Sequence, residues 1–291
     1  MQLHLYRIES LVKGEIEIVF LKDIIKEHKG FGKQIMMLAK TELVKTYKGA
    51  AIGPGWAIVK PAFTIFVYWF AFSVGIRHLG TVHVDIHGHD LQLDRFLFMF
   101  VGFIPWFFIS DSIVKGAKDI RSHRQYVTKV NFPVSTIMTF STISRFYVHL
   151  ALTGLMYIYV AIFWGVSWYN LQILFYMPAM FLFFLFLSWS TAPMCAFSPD
   201  LENAITSVMS GVFWLTGVVY NSYDLPTPLR QIMLFNPMNF FINGYRNALL
   251  YDRWFFEYKT EFVIFLVEFI AVFLLGVYNY NRLRKKIPDV L

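Results

Sequence analysis

Long runs of apolar residues, separated by short polar stretches, dominate this chain. Six runs are about 20 residues long, which is the length an α-helix needs to cross a bilayer. They predict membrane spans near residues 57–76, 96–115, 136–163, 171–195, 203–221 and 260–280. The fifth run begins with the most polar residues, among them Asn203 and Thr206. The pattern predicts an all-α integral membrane protein with six transmembrane helices.

A mildly amphipathic segment precedes the first run. Residues 31–48 place Met36, Leu43 and Tyr47 on one face at helical spacing, and Lys40 borders that face. We predict a cytoplasmic amphipathic interface helix lying on the membrane surface. A soluble helix packed on another protein is the alternative.

A bend follows this segment. Two glycines flank a proline in Gly53-Pro54-Gly55, and Trp56 comes next, where membrane interfaces favour indole rings. The chain therefore divides into four parts. These are a cytoplasmic N-terminal segment (1–30), the interface helix and bend (31–55), a six-span transmembrane domain (56–281) and a basic cytoplasmic tail (282–291).

Lysine and arginine are unevenly distributed among the predicted loops. Ten precede the first span when Lys60 is counted, and the 116–135 loop and the tail carry four each. The 77–95 loop has two, at its ends, and the 164–170 turn has none. Because cytoplasmic loops carry the excess of positive charge, both termini and the 116–135 loop are predicted to be cytoplasmic.

Composition supports the membrane assignment. The 291 residues are 57% hydrophobic, 19% aromatic and only 15% charged. The net charge of +7 follows membrane topology rather than nucleic-acid binding. The single cysteine, Cys195, excludes an internal disulfide and a cysteine metal cluster. The first thirty residues lack the apolar core of a signal peptide, so we expect none.

Motifs for ATP binding or hydrolysis are missing from the sequence. It contains no Walker A loop, zinc-protease pattern or nucleophile elbow. We therefore predict that the chain has no catalytic residues and binds no cofactor, and that any energy for transport comes from elsewhere.

The segment 222–259 differs from an ordinary loop. Gln231–Phe241 is strongly apolar but too short to cross a membrane, and Asn236-Pro237 interrupts it. Asn is a good N-cap and Pro is tolerated in the first helical turn. We predict two short re-entrant helices that meet at this break on the external side. A pair of helices lying flat on the outer surface is the alternative.

Half of the eight histidines fall within the 77–95 loop, with aspartates among them. Such spacings can hold a transition metal. We instead predict a hairpin with Val82, Val84 and Ile86 alternating against polar residues and His87-Gly88 at the turn. No metal site is predicted. The four histidines are His78, His83, His87 and His89.

Arg145 and Glu268 are charges placed well inside predicted spans. Each lies roughly 12–14 Å deep at 1.5 Å per residue, where a lone charge costs about 2.5–3.5 kcal/mol. We hypothesise that the two form an ion pair. The alternative is that Arg145 reaches the cytosolic interface and Glu268 is protonated.

Two further sets of residues suggest contacts with partners or substrate. Phe132-Pro133 beside Lys129 predicts an exposed docking knob for a soluble protein, unless Phe132 is buried. Aromatic rings in the first two spans could stack on sugars in a pore, although packing explains them equally well. The candidate pore-lining residues are Tyr68, Trp69, Phe72, Trp106 and Phe107.

In their order along the chain, these motifs resemble the permease subunit of type 2 ABC exporters that move lipid-linked cell-surface polymers. That family includes wall teichoic acid, O-antigen and capsular polysaccharide exporters. The similarity covers most of residues 33–281. The words Tyr68-Trp69-Phe70 and Gly75-Ile76-Arg77 are most similar to the teichoic acid branch. The other marks are Tyr47-Lys48, Gly53-Pro54, Trp56, Pro61, Gly102 to Phe108, Lys129, Phe132-Pro133, Asn236-Pro237 and Gly244-Tyr245-Arg246.

Three positions depart from the family pattern. Gly55 stands where the family usually has a bulky apolar residue, Val134-Ser135 where it often has a basic-acidic pair, and Pro199-Asp200 where it favours Arg-Asp.

The resemblance implies a homodimer with two cytosolic ATP-binding subunits, which would bind ATP and Mg²⁺, in the cytoplasmic membrane of a bacterium. The substrate would be a polymer on an undecaprenyl-pyrophosphate-type lipid, with wall teichoic acid favoured. Membrane lipids are further partners, and no nucleic acid is expected. The implied ATPase-coupling residues are Lys118, Arg121, Arg124, Lys129, Asn131, Phe132 and Pro133. Those for head-group binding are Lys40, Lys45, Tyr47, Lys48 and Trp56, and those for the outer gate are Asn236, Pro237, Tyr245 and Arg246.

Two functions from other classes remain open on the sequence alone. One is a multispan membrane glycosyl or acyl transferase that uses the histidine-rich loop. The other is an ion-coupled transporter that uses Arg145 and Glu268.

Overall fold

A computed structural model describes residues 15–75, 81–86, 89–130 and 132–291 of the chain, without the side chains of residues 15–20 and 85–91. The α-helices are α1 Glu15–His28, α2 Gly32–Thr46, α3 Trp56–Phe70, α4 Arg95–Ser122, α5 Arg124–Thr128, α6 Val134–Phe163, α7 Ile173–Phe197, α8 Pro199–Trp214, α9 Thr227–Leu234, α10 Pro237–Leu249, α11 Lys259–Leu283 and α12 Ile287–Val290. The strands are β1 Thr81–Ile86 and β2 His89–Asp94. Short 3₁₀ turns and one π turn join some of them.

Five helical segments in the described residues are long and apolar enough to cross a membrane. They match the first four and the last of the predicted spans, which confirms an all-α integral membrane protein. The segments are Gly53–Gly75, Arg95–Thr128, Val134–Phe163, Trp168–Phe197 and Lys259–Val290.

The fifth predicted span, 203–221, takes a different form. The helix there, α8, begins earlier at Pro199 and ends at Trp214, after 16 residues. At 1.5 Å per residue it is roughly 24 Å long, less than the ~30 Å hydrocarbon core. Acidic residues in its first turn, Asp200 and Glu202, place a polar end where a span would be apolar. The count of six spans stays a prediction.

α4 is the central helix of the bundle. It packs against α6, α7 and α10, and 72% of the residues in its most apolar 18-residue stretch are buried. The first part of α4, up to Ile109, is apolar on all sides and so belongs in the interior; Phe98, Phe103 and Ile109 there are almost fully buried. α11 packs against α7, where Gly276 faces the backbone carbonyl of Phe186. A small residue there lets the two helices approach closely.

The predicted hairpin is confirmed. β1 and β2 are antiparallel, with Thr81 opposite Asp94 and Ile86 opposite His89. Asp94 then caps α4, because its carboxylate accepts the backbone N–H groups of Phe96 and Leu97. The hairpin turn and the histidines at 78 and 87 lie outside the described residues, as does the side chain at position 89.

The helix break at Asn236-Pro237 is confirmed as well. The Asn236 side chain accepts hydrogen bonds from the backbone N–H groups of Met238 and Asn239 at the start of α10. α10 is buried against α4 and α7 along most of its length, whereas α9 is largely exposed. A pair of helices lying flat on a surface would not bury α10. The arrangement therefore favours the predicted re-entrant helices over the flat pair.

The helix predicted before the first span is present as α2. Ile35 and Ala39 form its buried face, which packs on α6, whereas Met36 is 45% exposed. Met36, on the predicted apolar face, therefore points away from the bundle, and the contact of that face with the membrane surface stays a prediction. The bend forms a 3₁₀ turn over Gly53–Gly55, and Gly53 has φ +50°, a conformation that favours glycine.

Candidate functional site

A cavity of about 590 Å³ lies between α2, α3, α4 and α6. We call it the inner cavity. Its walls combine charged and aromatic side chains, an unusual mixture beside membrane spans. The charged lining residues are Glu42, Lys60, Asp111, Lys115, Lys118, Asp119 and Arg145, and the aromatic ones include Tyr47, Trp56, Trp106 and Phe107.

The bend after α2 forms one wall of the inner cavity. α2 ends at Thr46, and Tyr47 and Trp56 on either side of the turn face the same space. Lys60, one helical turn beyond Trp56, stands over its indole ring with Nζ 5.9 Å from the centroid. A cation near an indole face is attracted by the ring, so Trp56 helps to hold this ammonium group at the cavity wall.

Arg145 in the deep wall pairs with Asp119 on α4. Its Nη1 and Nη2 atoms donate to the two Asp119 carboxylate oxygens at 2.9 and 2.8 Å. The hypothesis of an Arg145–Glu268 pair is therefore wrong, and Glu268 lies half-buried on α11. The physical reason is the length of α4. It continues as helix to Ser122 instead of ending at 115, so Asp119 comes alongside α6.

His123 connects this ion pair to α2. Its Nδ1 lies 2.9 Å from the backbone carbonyl of Asp119, and its Nε2 lies 3.2 Å from the Glu42 carboxylate. The hydrogen bond with His123 lowers the pKa of Glu42 below its ordinary value, with smaller contributions from nearby cations. α2, α4 and α6 are thus joined by one chain of polar contacts along the cavity wall.

Comparison with known proteins identifies the family of this chain. The family model described as ABC-2 type transporter matches residues 33–250, which include all four helices around the cavity. The chain belongs to the ABC-2 type transporter family. It is therefore a type 2 ABC permease, a transport subunit rather than an enzyme in itself, and a multi-pass protein of the inner membrane. Membership of this family implies a separate ATP-binding subunit as partner.

Relatives of the permease carry a common name. The permease is 22% identical over 262 residues to the O-antigen export system permease protein RfbA of Klebsiella pneumoniae. The match covers 88% of this chain and 94% of the relative. The permease is 25% identical over 238 residues to the protein of the same name from Myxococcus xanthus, covering 79% and 85%. The predicted resemblance to type 2 ABC exporters is confirmed at the level of the family.

The predicted head-group residues separate into two groups. Tyr47 and Trp56 line the inner cavity. Lys40, Lys45 and Lys48 are exposed and lie outside its lining, with Lys45 Nζ 3.9 Å from Glu42. Sequence reasoning missed Lys60 as a lining residue, although its place one turn after Trp56 was a usable signal.

The predicted coupling residues lie at one end of the permease. Lys118 reaches the inner cavity and pairs with Glu202 on α8 at 3.3 Å. Arg124 and Lys129 are exposed, and Arg121 is half-buried. Pro133 precedes the first residue of α6. Asn131 lies outside the described residues.

Phe132 is not the exposed knob that we predicted. Its ring is half-buried and packs edge-to-face on Phe31, with centroids 5.2 Å apart. Val130, two residues earlier, is 64% exposed. The exposed apolar residue of this turn is therefore Val130, because the rings of Phe31 and Tyr126 pack on Phe132.

The candidate pore-lining aromatics also divide. Trp106 and Phe107 line the inner cavity. Tyr68 packs on Phe103 and Phe213, with each centroid pair 5.2 Å apart, and Trp69 packs on Phe96. Phe72 lies against the apolar core. Within one subunit these three side chains of the first span contact other aromatic or apolar side chains, so their role in lining a channel stays a prediction.

Tyr245 and Arg246 of the predicted outer gate are buried inside the bundle. The Tyr245 hydroxyl lies 2.7 Å from His149 Nε2. The Arg246 guanidinium donates to the carbonyl groups of Gly217, Val218 and Phe98 and lies 3.5 Å above the Phe98 ring. Arg246 therefore anchors α10 to α4 and to the turn after α8. A gating role for this region stays a prediction.

Proposed function

We propose that the permease, with ATP-binding subunits, exports a lipid-linked cell-surface polysaccharide, and that the inner cavity receives the anionic head group of the lipid. The observation that carries this proposal is the lining of the cavity. Ammonium groups suited to a pyrophosphate stand next to rings suited to an isoprenoid chain or a sugar, at the point where the surface helix turns into the first span.

The charges in the cavity support exchange of partners on binding. Lys115 and Asp111 form an exposed pair at 2.6 Å, and Lys118 is shared with Glu202 at its margin. Exposed pairs of this kind are worth at most about 1 kcal/mol. A pyrophosphate, with more than one negative charge, can therefore replace a carboxylate beside these lysines at little cost.

Two observations bear on the chemical class of the polymer, and they favour different polymers. The relatives' names refer to O-antigen export, which favours a polysaccharide on an undecaprenyl-pyrophosphate-type carrier. The preference for wall teichoic acid has only the support of the words around Tyr68 and Gly75. We place the substrate in the polysaccharide class and treat teichoic acid as a narrower option within lipid-linked polymers.

The proposed working unit is a homodimer with two ATP-binding subunits. Only 6% of the most apolar window of the first span is buried in one subunit. Phe63, Phe66 and Phe70 are exposed along it. We propose that α3 and α8 of a second copy cover this surface and that both termini are cytoplasmic.

Reconstitution tests the proposal directly. The permease and its ATP-binding subunit would be purified together and placed in liposomes. ATP hydrolysis would be measured with and without an undecaprenyl-pyrophosphate-linked oligosaccharide. Lys60→Ala and Lys118→Ala should each raise the lipid concentration for half-maximal stimulation roughly tenfold, since a charge-assisted hydrogen bond contributes about 1.5–3 kcal/mol.

Surface lysines provide the matched controls. Lys45→Ala and Lys48→Ala remove the same charge outside the cavity lining and should have a smaller effect. Equal effects at all four positions would show that a general surface field attracts the lipid and would remove the cavity from the proposal. Stimulation by a proton gradient without ATP would favour the ion-coupled transporter instead.

A further inference from the structure

Helix α1 lies before the region matched by the family model, which begins at residue 33, and it is nevertheless firmly attached. It packs on the beginning of α6 and on α11. The sequence predicted only that residues 1–30 are cytoplasmic and assigned them no function. The contacts of this helix converge on one side chain, that of Glu27.

The Glu27 carboxylate accepts hydrogen bonds from three donors, which lie on α6, on α11 and in the 3₁₀ turn directly after α11. Ser135 Oγ, in the first turn of α6, donates to Oε2 at 2.5 Å, and the Tyr280 hydroxyl near the end of α11 donates to the same oxygen. Arg284 Nη1 donates to Oε1 at 2.7 Å. Ser135 and Arg284 are 149 residues apart in the sequence, and one carboxylate joins them.

Further bonds close the network around Glu27. The backbone N–H of Ser135 donates to the Tyr280 hydroxyl at 2.9 Å, so α6 and α11 also contact each other directly. Arg284 Nη2 donates to Asp23 on α1 at 2.5 Å. Tyr280 is fully buried and Ser135 is buried, which shields these bonds from competition with water.

The network lies next to the proposed site of ATPase coupling. Ser135 is the second residue after Pro133, and Phe132 packs on Phe31 just after α1. His28 at the end of α1 adds a 2.8 Å hydrogen-bond contact to Thr139, one turn further along α6. A force applied to the turn at residues 129–133 therefore reaches α1 and α11 through short polar bonds.

We propose that Glu27 is a positioning residue that makes the entrance of α6 and the end of α11 move as one body when ATP is bound. The inference rests on the proposed function in one respect, namely that the turn at 129–133 receives the ATP-binding subunit. Glu27 touches neither ATP nor the transported polymer in this scheme. It fixes the geometry through which nucleotide-driven movement reaches the last span.

Distance measurements between spin labels test this movement without any polymer. Cys195 would be replaced by alanine, which leaves no other cysteine in this chain. Labels would be placed at Thr128, just before the turn, and at Lys285, both exposed. The complex with the ATP-binding subunit would be measured with ADP and with a non-hydrolysable ATP analogue. Labelled permease would be mixed with an excess of unlabelled permease, so that the distance within one subunit is read. The wild-type network should give one narrow distance in both states. Glu27→Ala should give a broadened or shifted distance with the ATP analogue.

The control is Asp289→Ala, which removes an exposed carboxylate at the same end of the molecule. It should behave like the wild type. An unchanged distance distribution in Glu27→Ala would overturn the proposal. If Glu27→Ala does not assemble, Glu27→Gln replaces it. Glu27→Gln keeps an oxygen acceptor and loses the charge facing Arg284, so it should broaden the distribution to a smaller degree.

Transport per ATP hydrolysed provides the second readout. In liposomes, Glu27→Ala should export about tenfold less polymer per ATP while ATP hydrolysis itself is kept, since hydrolysis belongs to the partner subunit. A proportional fall of both rates would indicate lost assembly and overturn the coupling role. If the wild type exports no polymer, the proposed function fails, whereas the spin-label result still decides the role of Glu27.

Discussion

Arg145 on α6 and Asp119 on α4 form a bidentate ion pair inside the helix bundle, with N–O distances of 2.9 and 2.8 Å. Both side chains are largely buried, and both line the inner cavity. Two parallel hydrogen bonds fix the relative height of the two helices as well as neutralising the charges. This pair is the anchor on which the deep wall of the cavity depends.

Removing one partner of this pair should be costly. Asp119→Ala leaves the Arg145 cation buried without its carboxylate, and we expect a loss of about 3–5 kcal/mol in the free energy of unfolding. Replacing both residues by leucine should restore much of it. Thermal unfolding of the purified permease in detergent would measure the changes.

The exposed Asp111–Lys115 pair on the same helix is the control. Asp111→Ala should cost at most about 1 kcal/mol, because solvent screens exposed pairs. Losses that simply add in the double leucine variant would contradict the pairing of Arg145 with Asp119.

The approach of Arg246 to α4 should make Gly102 intolerant of a side chain. A Cβ at Gly102 would meet the Arg246 guanidinium and come within 3.0 Å of the Val218 carbonyl oxygen. We expect Gly102→Ala to destabilise the permease by about 1–3 kcal/mol through overpacking. The apparent melting temperature in detergent is a sufficient measurement.

Gly154, in the interior of α6, gives the opposite expectation for the same substitution. No atom lies within 4 Å of a Cβ built there. Gly154→Ala should be neutral or stabilise by about 0.5–1 kcal/mol, since alanine favours a helix over glycine. Similar losses at both positions would argue against the close approach of Arg246.

Val130 should contribute to binding of the ATP-binding subunit. It is 64% exposed beside the cationic residues Arg124 and Lys129. Val130→Asp places a charge in an apolar contact, and we expect roughly tenfold or greater weakening of association. Co-purification and titration with the ATP-binding subunit would quantify it.

Val166 is the matched position, because it has the same exposed fraction of 64% and lies beyond the other end of α6. Val166→Asp should leave association unchanged. A loss of binding in both variants would point to a general effect on folding or insertion.

Acid should loosen α2 through Glu42. Its folded-state pKa is lowered, first of all by the hydrogen bond with His123, below the ordinary value of 4.5. The sign follows from linkage: this contribution to stability is fully present above pH 4.5 and is lost as the pH falls through the lower folded pKa. The charges of His123, Lys45 and Arg145 also lower this pKa, whereas burial raises it.

Hydrogen exchange of the α2 amides, corrected for the intrinsic pH dependence of exchange, would measure this loss between about pH 5.5 and pH 3.5. Glu42→Gln should remove the pH-dependent part and leave α2 equally protected throughout. The same slope in wild type and variant would assign it to other groups.

The sequence predicted features that depend on local pattern. The length of the apolar runs located five spans, and the Asn236-Pro237 dipeptide located a helix break. The alternation of apolar and polar residues located the hairpin. These succeed because length, capping and strand periodicity are properties of neighbouring residues.

Features that depend on tertiary contact were missed. Asp119 fell in the cytoplasmic segment 116–135, beyond the predicted second span, so its ion pair with Arg145 was not foreseen. Spacing could not give the contact of Ile35 and Ala39 on α2 with α6. The partners of Glu27 are more than 100 residues away in the sequence, so no local signal could reveal them.

The sparse burial of the first span has a consequence for how the molecule is made. Gly53–Gly75 leaves the ribosome before the other four spans, yet only 6% of its most apolar window finds cover in the finished subunit. The first span is therefore surrounded mainly by lipid while the rest of the chain is synthesised. A lone copy would keep a broad aromatic face in contact with acyl chains, and subunits inserted at low abundance would be the first to depend on membrane thickness and composition.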